Sequence, residues 1–314
     1  MKRLAVVILN YKTPQLVIDC LHSLKNEIDP AQDYVVVVDN CSPDDSAEII
    51  QTTLTQNNWH WCSLIQPPNN AGFSAGNNFG MQSVAAEAYL LVNSDTIIRP
   101  NAITHLLDAL EKHPEAGIIS PRLEWPDTTP QISCFRDISP ASQIINAAQT
   151  GPITKILKSF DIPIDVSDTP MQPDWTSFAA VLLRGTAVQQ IGWMDEGYFM
   201  YFEDCDYCRR ARNAGWQILH WPTARIVHLR GGSSNVKAAT KARKRRPAYW
   251  YEARSRYFAK FYGGAAGLWV ANLAWHSGQA VARLREVVGN KEPHHCDYEG
   301  RDIWLNWRTP LETG

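Results

Sequence analysis

The feature that most constrains this chain is an alternation. Short, almost unbroken apolar runs recur along its first 120 residues, and helix-opening signals separate them. RLAVVIL (3–9), YVVVVD (34–39), HWCSLIQ (60–66), AYLLVNSD (88–95) and AGIIS (116–120) are such runs. Runs of that length without polar alternation suit strands buried on both faces of a parallel sheet. Thr13-Pro14, Ser42-Pro43 and Pro100 stand where helices open. Strand and helix therefore alternate, and a right-handed βαβ stack is the economical topology. The expected fold class is α/β, with a mostly parallel central sheet flanked by helices. In such sheets ligands bind beyond the carboxyl ends of the strands. Asn10, Asp39 and Asp95 each fall at such an end.

Each of these polar residues has two readings. Asp39 follows four valines; its carboxylate can accept hydrogen bonds from a nucleobase or ribose, or cap the next turn. Asp95 can hold a hard divalent cation that also grips a diphosphate, or cap its own strand end. The loop Asn69–Gly80 carries Gly72, Gly76 and Gly80. Glycines let backbone N–H groups approach a phosphate, and the helix start behind them favours anions. The spacing fits neither the dinucleotide fingerprint nor the P-loop. His228 closes a strand pair read in WQILHWPTARIVH and is a candidate metal ligand or a structural histidine. Arg230, Gly231, Gly232, Ser233 and Ser234 follow it as an anion-friendly loop.

The densest chemistry lies in FMYFEDCDYCRRARNAGW, residues 199–216. A helix starting near Asp204 puts its carboxylate at the helix N-terminus, where the dipole favours the ionised form. That is a placement for a general base. Arg209, Arg210 and Arg212 can brace Glu203 or Asp206, and Gly215 stops the helix. A capped surface helix laced with ion pairs reads equally well. Asp174 and Trp175 offer either a sugar platform or core packing. The proline-rich stretch 124–174 reads as a mobile excursion with one or two short helices.

Composition narrows the classes. A net charge of -2 over 314 residues gives no global argument for nucleic acid. Seven irregularly spaced cysteines do not form a disulfide framework. Cys205 and Cys208 have no second pair at zinc spacing, and His294-His295-Cys296-Asp297 reads as incidental. No apolar run reaches the ~18 residues of a membrane span, and the start does not read as a signal peptide. A cytoplasmic location is expected, with a peripheral position on the inner membrane face left open. Lys237–Pro247 is basic and reads as a solvated loop or a lipid-facing one. AYWYEARSRYFAKFYG and GLWVANLAWHSGQAVARLREVVG read as two helices; the second suits either packing or a membrane surface.

VVILNYKTP, VVDNCSPDDS, NNAGFSAGNNFG, LLVNSDT, GWMDEGYFMYFEDCDYCRRARNAGW and HLRGGSS occur in this order. Together they resemble the family 2 glycosyltransferases of the GT-A fold, in their rhamnosyltransferase-like branch. The resemblance covers roughly residues 3–262. It implies a GT-A domain over 1–262, with a nucleotide-sugar half (1–120) and an acceptor half (121–262), then a helical extension over 263–314. It implies an inverting transferase that uses a nucleotide-diphosphate sugar, a divalent cation (Mg2+ or Mn2+), and a saccharide or lipid-linked saccharide acceptor. dTDP-rhamnose or a UDP-sugar is the expected donor. By the same likeness Asp204 is the catalytic base; Asp39, Asn77 and Asp95 face the donor; Asp95 and His228 hold the metal; Asp195 and Glu196 lie on the acceptor side. Asn10 at the strand-end rim and Gly72 in the Gly-rich loop are expected on the donor side with them, and Trp175 and Glu203 on the acceptor side. Asn93 replaces the first acid of the family's Asp-x-Asp motif, and Phe178 stands where relatives carry glycine. The alternatives are a nucleotidyltransferase, opposed by the glycine-free turn NYKTPQ, and a catalytically impaired nucleotide-sugar-binding or scaffold protein.

Overall fold

The structure is a computed structural model that describes residues 1–231, 236–289 and 294–312. Gly232, Ser233 and Ser234 of the loop after His228 lie outside the described residues. The chain divides into two compact units. The first holds Met1–Phe135, Asp165–Glu196 and Asp206–Ser233; the second holds the remainder.

In chain order the elements are β1 (Lys2–Asn10), α1 (Pro14–Leu24), β2 (Asp33–Asp39), α2 (Ser46–Gln56), β3 (Cys62–Ile65), α3 (Phe73–Gln82), β4 (Ala86–Asn93), β5 (Thr96–Ile98), α4 (Ala102–Lys112), β6 (Ala116–Glu124) and β7 (Cys134–Phe135). Then come α5 (Pro140–Ala148), α6 (Gly151–Ile156), a 3-10 turn (Lys158–Phe160), β8 (Trp175–Thr176), β9 (Ala180–Arg184), α7 (Gly185–Ile191), α8 (Glu203–Asn213) and β10 (Gln217–His228). The chain ends with α9 (Val236–Lys241), α10 (Ala248–Phe261), α11 (Ala265–Gly289) and α12 (Glu299–Asp302).

The first unit is built on one sheet, ordered β3-β2-β1-β4-β9-β6-β10-β5. Strands β1 to β4 run parallel. β9 lies antiparallel between β4 and β6, β10 runs parallel to β6, and β5 closes the edge antiparallel to β10. The unbroken apolar runs have a simple cause. Leu4, Val6 and Ile8 of β1 enter one core, with Val17 and Leu21 of α1 and Leu106 of α4. Ala5 and Val7 enter another, with Met81 of α3, Val188 of α7 and Tyr207 of α8. Successive side chains of a strand point to opposite faces, so a sheet covered on both sides needs both sets apolar.

Three elements depart from expectation. The fifth run continues to Glu124 because β10 pairs along it. WQILHWPTARIVH is one strand, bent by a register shift between Trp221 and Arg225, rather than two. The three-residue β5 is too short to leave a sequence pattern. Glu124 shows what fixes the junction. It is fully buried and takes Arg99 at 2.9 Å and Arg225 at 2.8 Å.

In the second unit, residues 136–164 carry the short helices expected of them. These are α5 and α6, and α11 packs on α5 with the backbone of Gly278 against Ile144 and Ala147. Arg254 of α10 is buried beside them. It donates to Gln143 Oε1 and, at 2.6 Å, to Asn272 Oδ1. Burial without a carboxylate at contact pulls that guanidinium down to about 9.

Candidate functional site

The carboxyl ends of the parallel strands carry a continuous polar rim. Parallel register sets Asn10 beside Asp39 and Leu9 beside Asn93. Asn10 Nδ2 donates to Asp39 Oδ1 at 2.7 Å, and Asn10 Oδ1 accepts from the N–H and hydroxyl of Thr13. The Thr13 hydroxyl in turn meets Ser94 Oγ at 2.9 Å. Asn10, Asp39 and Asp95 are thus brought to one edge.

Asp39 is fully buried, and its carboxylate is heavily used. Oδ1 accepts from Asn10 and from Ser42 Oγ at 2.6 Å; Oδ2 accepts from Gln66 Nε2 at 2.9 Å and from the Ser42 N–H. A carboxylate has about four acceptor positions. Asp39 therefore organises the turns after β1, β2 and β3. For it to touch a base, Gln66 or Ser42 must give way.

Asp95 and His228 meet because β5 turns back along β10, with His228 opposite Thr96. The backbone closes the arrangement, since the Leu229 N–H donates to the Asp95 carbonyl at 2.9 Å. His228 Nε2 lies 3.5 Å from Asp95 Oδ1, and both residues are more than 90% buried. That distance is long for a hydrogen bond. Two metal–ligand bonds of ~2.1 Å meeting at ~110° span ~3.4 Å, so the pair has the spacing of adjacent ligands on one ion. His228 Nδ1 is buried with no hydrogen-bond partner. No group of three or more His, Cys, Asp or Glu side chains that could hold a metal ion converges among the described residues. Arg230, which opens the anion-friendly loop after His228, brings a cation near Asp95. Burial pulls its guanidinium below the usual arginine range, while the charge of Asp95 pulls it back up. It crosses Trp125 at 5.7 Å and donates to Gln131, whose own amide holds the His228 carbonyl at 2.7 Å.

The Gly-rich loop divides into two roles. Gly72 has a left-handed backbone (φ +95°) and starts α3. Asn40 Nδ2 holds its carbonyl at 3.1 Å. Gly76 and Gly80 are packing glycines: a Cβ there would meet Leu9 Cδ1 at 2.5 Å and Val7 Cγ1 at 2.5 Å. They let α3 lie close on β1. Around the α3 start, Asn40 Oδ1, Ser74 Oγ and Asn77 Oδ1 are buried without partners. Asn77 Nδ2 is spent on the Phe73 carbonyl of its own helix. Buried acceptors left open cost about 1–3 kcal/mol each, so such a cluster points to a ligand or ordered water.

Asn78 joins α3 to the segment that carries Asp195 and Glu196. Its amide exchanges hydrogen bonds with the Met194 backbone and donates to Glu196 Oε1 at 2.9 Å. Glu196 is exposed and Asp195 half-buried. Trp175 stacks on Phe135 at 4.0 Å, so one indole face is covered. Phe178 packs in the core against Tyr207.

Glu203 and Asp204 open α8 and are described within the second unit. Glu203 is buried and Asp204 half-buried. Asp204 Oδ1 accepts the Cys205 N–H at 2.8 Å, which places its carboxylate at the helix start, as the dipole argument required. The two preceding residues, Tyr201 and Phe202, both have left-handed backbones (φ +74° and +67°). Bulky residues there cost roughly 1–2 kcal/mol each. Aromatics of α10 hold them: Tyr201 stacks on Tyr249, and Phe202 packs on Trp250 and Tyr257 at 5.7 Å. Asp206, by contrast, is clamped by Arg210 at 2.6 Å and is spoken for structurally.

A two-faced, mostly parallel sheet with polar strand ends and a β5–β10 acid–histidine pair defines a class, and comparison with known proteins gives the same one. A mannosyltransferase from Pyrobaculum calidifontis, solved with GDP-Man and Mn2+, matches with a TM-score of 0.59 at 12% identity, over 98% of this chain and 83% of that one. The fold is that of the GT-A glycosyltransferases. Residues 5–159 match the family model of glycosyl transferase family 2, and the chain belongs to that family. It is 26% identical over 197 residues to an N-acetylglucosaminyl-diphospho-decaprenol L-rhamnosyltransferase of Mycobacterium tuberculosis. That match covers 59% of this chain and 58% of the relative's length. A low-salt glycan biosynthesis hexosyltransferase of Haloferax volcanii is 25% identical over 237 residues, 72% of this chain and 66% of the relative.

Proposed function

We propose that this chain transfers a sugar, with inversion, from a nucleotide-diphosphate donor to a hydroxyl of a saccharide or lipid-linked saccharide acceptor. The observation that carries the reading is the buried Asp95–His228 pair on the same strand-end rim as Asn10 and Asp39. The names of the relatives favour an L-rhamnosyl donor and a polyprenyl-diphosphate-linked acceptor.

In this reading Asp95 and His228 hold a divalent cation, Mg2+ or Mn2+. The cation supplies charge that steadies a departing nucleoside diphosphate. Arg230 adds a fixed positive charge beside Asp95. The open acceptors Asn40 Oδ1, Ser74 Oγ and Asn77 Oδ1 receive donor hydroxyls or the water that accompanies them. Gly72 sets the turn that lets the start of α3 face the donor. Asp204 takes the proton from the acceptor hydroxyl as that oxygen attacks the anomeric carbon, a role worth about 10²–10⁴-fold. Glu203, Asp195, Glu196 and Trp175 belong to the acceptor side, with Asn78 fixing Glu196.

Asn93 in place of an acid favours one other reading, a nucleotide-sugar-binding protein without turnover. A thermal-shift screen of nucleoside diphosphates and their sugars, with and without Mn2+, followed by product analysis, separates the two. At 100 times Kd, a ligand specific to the folded state adds about 2.7 kcal/mol of stability. A cation-dependent shift with dTDP or UDP and an inverted product is expected. Binding without product supports the second reading, and no shift with any nucleotide refutes both.

A further inference from the structure

Helix α11 is apolar on both of its sides. Its buried side holds Leu268, Ala271 and Trp275 along with Asn272 and Gln279, while Trp269, Val270, Leu273, Leu284, Val287 and Val288 are exposed. Over 25 residues, roughly 37 Å, the exposed side carries one charge, Arg283. The helix's one acid, Glu286, is turned to the backbone N–H of His294. At one end Trp269 packs on Trp307 at 5.7 Å, and exposed Arg308 lies over that indole at 5.0 Å. At the other, Arg285 donates to the Gln149 carbonyl and so ties in the α5–α6 corner. There α6 buries none of its residues, and Ile156 and Phe160 are exposed among Lys155 and Lys158.

Charge selects the occupant of this face. Residues 236–312 carry fourteen Lys and Arg against seven Asp and Glu, in a chain whose net charge is -2. The basic run is tied to the same packing: Arg245 pairs with Asp302 and Arg246 with Glu299, both on α12. The end of α12 in turn meets α11 where Asn272 donates to the Ile303 carbonyl at 3.1 Å. Exposed Lys241 and Lys244 lie in that run. An apolar helix face without acids, edged by Trp and Arg and set in a cationic segment, matches a bilayer interface with anionic headgroups. A phosphate polymer would leave the apolar side uncovered. No helix among the described residues is long and apolar enough to cross a membrane, so the helix would lie on the surface.

We propose that the exposed face of α11 docks the second unit onto an anionic lipid surface. This deepens the transferase reading, on which its purpose rests: an acceptor carried on a polyprenyl diphosphate must be met at a bilayer. The test uses the full chain without sugar or cation. Flotation with vesicles of phosphatidylcholine containing phosphatidylglycerol is compared with flotation on phosphatidylcholine alone. Binding to the anionic vesicles, weakening with salt, is expected. Leu273→Glu/Leu284→Glu should lower vesicle affinity at least about 100-fold, and Lys241→Gln/Lys244→Gln about 5-fold per charge. The same variants should keep donor affinity and transfer to a soluble acceptor. Failure of the wild-type chain to float, or equal flotation of the glutamate variant, overturns the proposal. So does a lipid-free dimer, seen by sedimentation equilibrium, that the glutamate pair dissolves, since a second copy would then own the face. A chain that floats but binds no nucleotide sugar upholds the face and sinks the transferase reading alone.

Discussion

The Asp95–His228 pair permits a prediction that separates a shared cation from an ordinary ion pair. The two side chains approach to 3.5 Å, close to the ~3.4 Å spanned by adjacent ligands on one ion. With two protein ligands among the described residues, removing either one should disable the site almost as fully as removing both. Asp95→Asn and His228→Ala should each lower cation-dependent affinity for a nucleoside diphosphate. The loss should be at least the roughly 10–100-fold seen when mere supporting partners of a metal ligand are lost. The double variant should lose little more. The coupling energy then equals one single loss, about 1.4–2.7 kcal/mol, and vanishes without the cation. Calorimetric titration of the four proteins with dTDP and UDP, in Mn2+ and in chelator, gives the cycle. Losses that multiply would mean that the two residues act independently, and a coupling that chelator leaves unchanged would mean that they pair only with each other; either result refutes the shared cation.

Four further outcomes follow from the structure. Asp204→Asn keeps an oxygen to accept the Cys205 N–H, so α8 should start normally while transfer falls about 10²–10⁴-fold and donor Kd stays put; an equal loss of donor binding would remove Asp204 as the base. Gly80→Ala should cost about 1–3 kcal/mol in chemical denaturation, because its Cβ meets Val7 and Val38, without changing donor affinity. Glu124→Ala removes the carboxylate that holds Arg99 and Arg225, both of which can still reach water, and should cost about 1.5–3 kcal/mol by the same measurement. Burial, with help from the Arg122 charge, lowers His220 to about 4. The unfolded chain therefore binds the extra proton between about pH 6.5 and 4, so stability should fall as pH falls through that window. Denaturation of His220→Phe should lack that slope.

The sheet was legible because its chemistry is repetitive. A strand covered on both sides must be apolar along its middle, and β1 and β2 obey that rule over residues 4–9 and 34–38, between their polar ends. Elements fixed by pairing rather than by pattern were not legible. β5 exists because β10 lies beside it, and β6 runs on to Glu124 for the same reason. The Gly-rich loop was read for what glycine permits toward a ligand, yet Gly76 and Gly80 answer to Leu9 and Val7. No local pattern names the strand that a helix will lie on. Asn78 was invisible for a related reason, since its partners Met194 and Glu196 are distant in sequence.

The acid segment shows how local and tertiary information divide at a functional element. Local sequence was enough to put Asp204 at a helix start. It could not show that Tyr201 and Phe202 enter that helix through two left-handed residues in succession. Such backbone persists only where packing over-determines it. Here the packing comes from Tyr249, Trp250 and Tyr257 of α10. Had Asp204 been required only to cap a helix, an unstrained Ser or Asp entry would have served at no such cost. The strain is therefore best understood as fixing the direction in which the carboxylate leaves the turn. On that view Tyr249→Ala/Tyr257→Ala should release the 201–202 backbone. In a transfer assay the variant should lose kcat while donor Kd holds, and the loss should track the population of the left-handed turn seen by NMR. A variant that loses the turn but keeps full kcat would show that the direction of Asp204 does not matter.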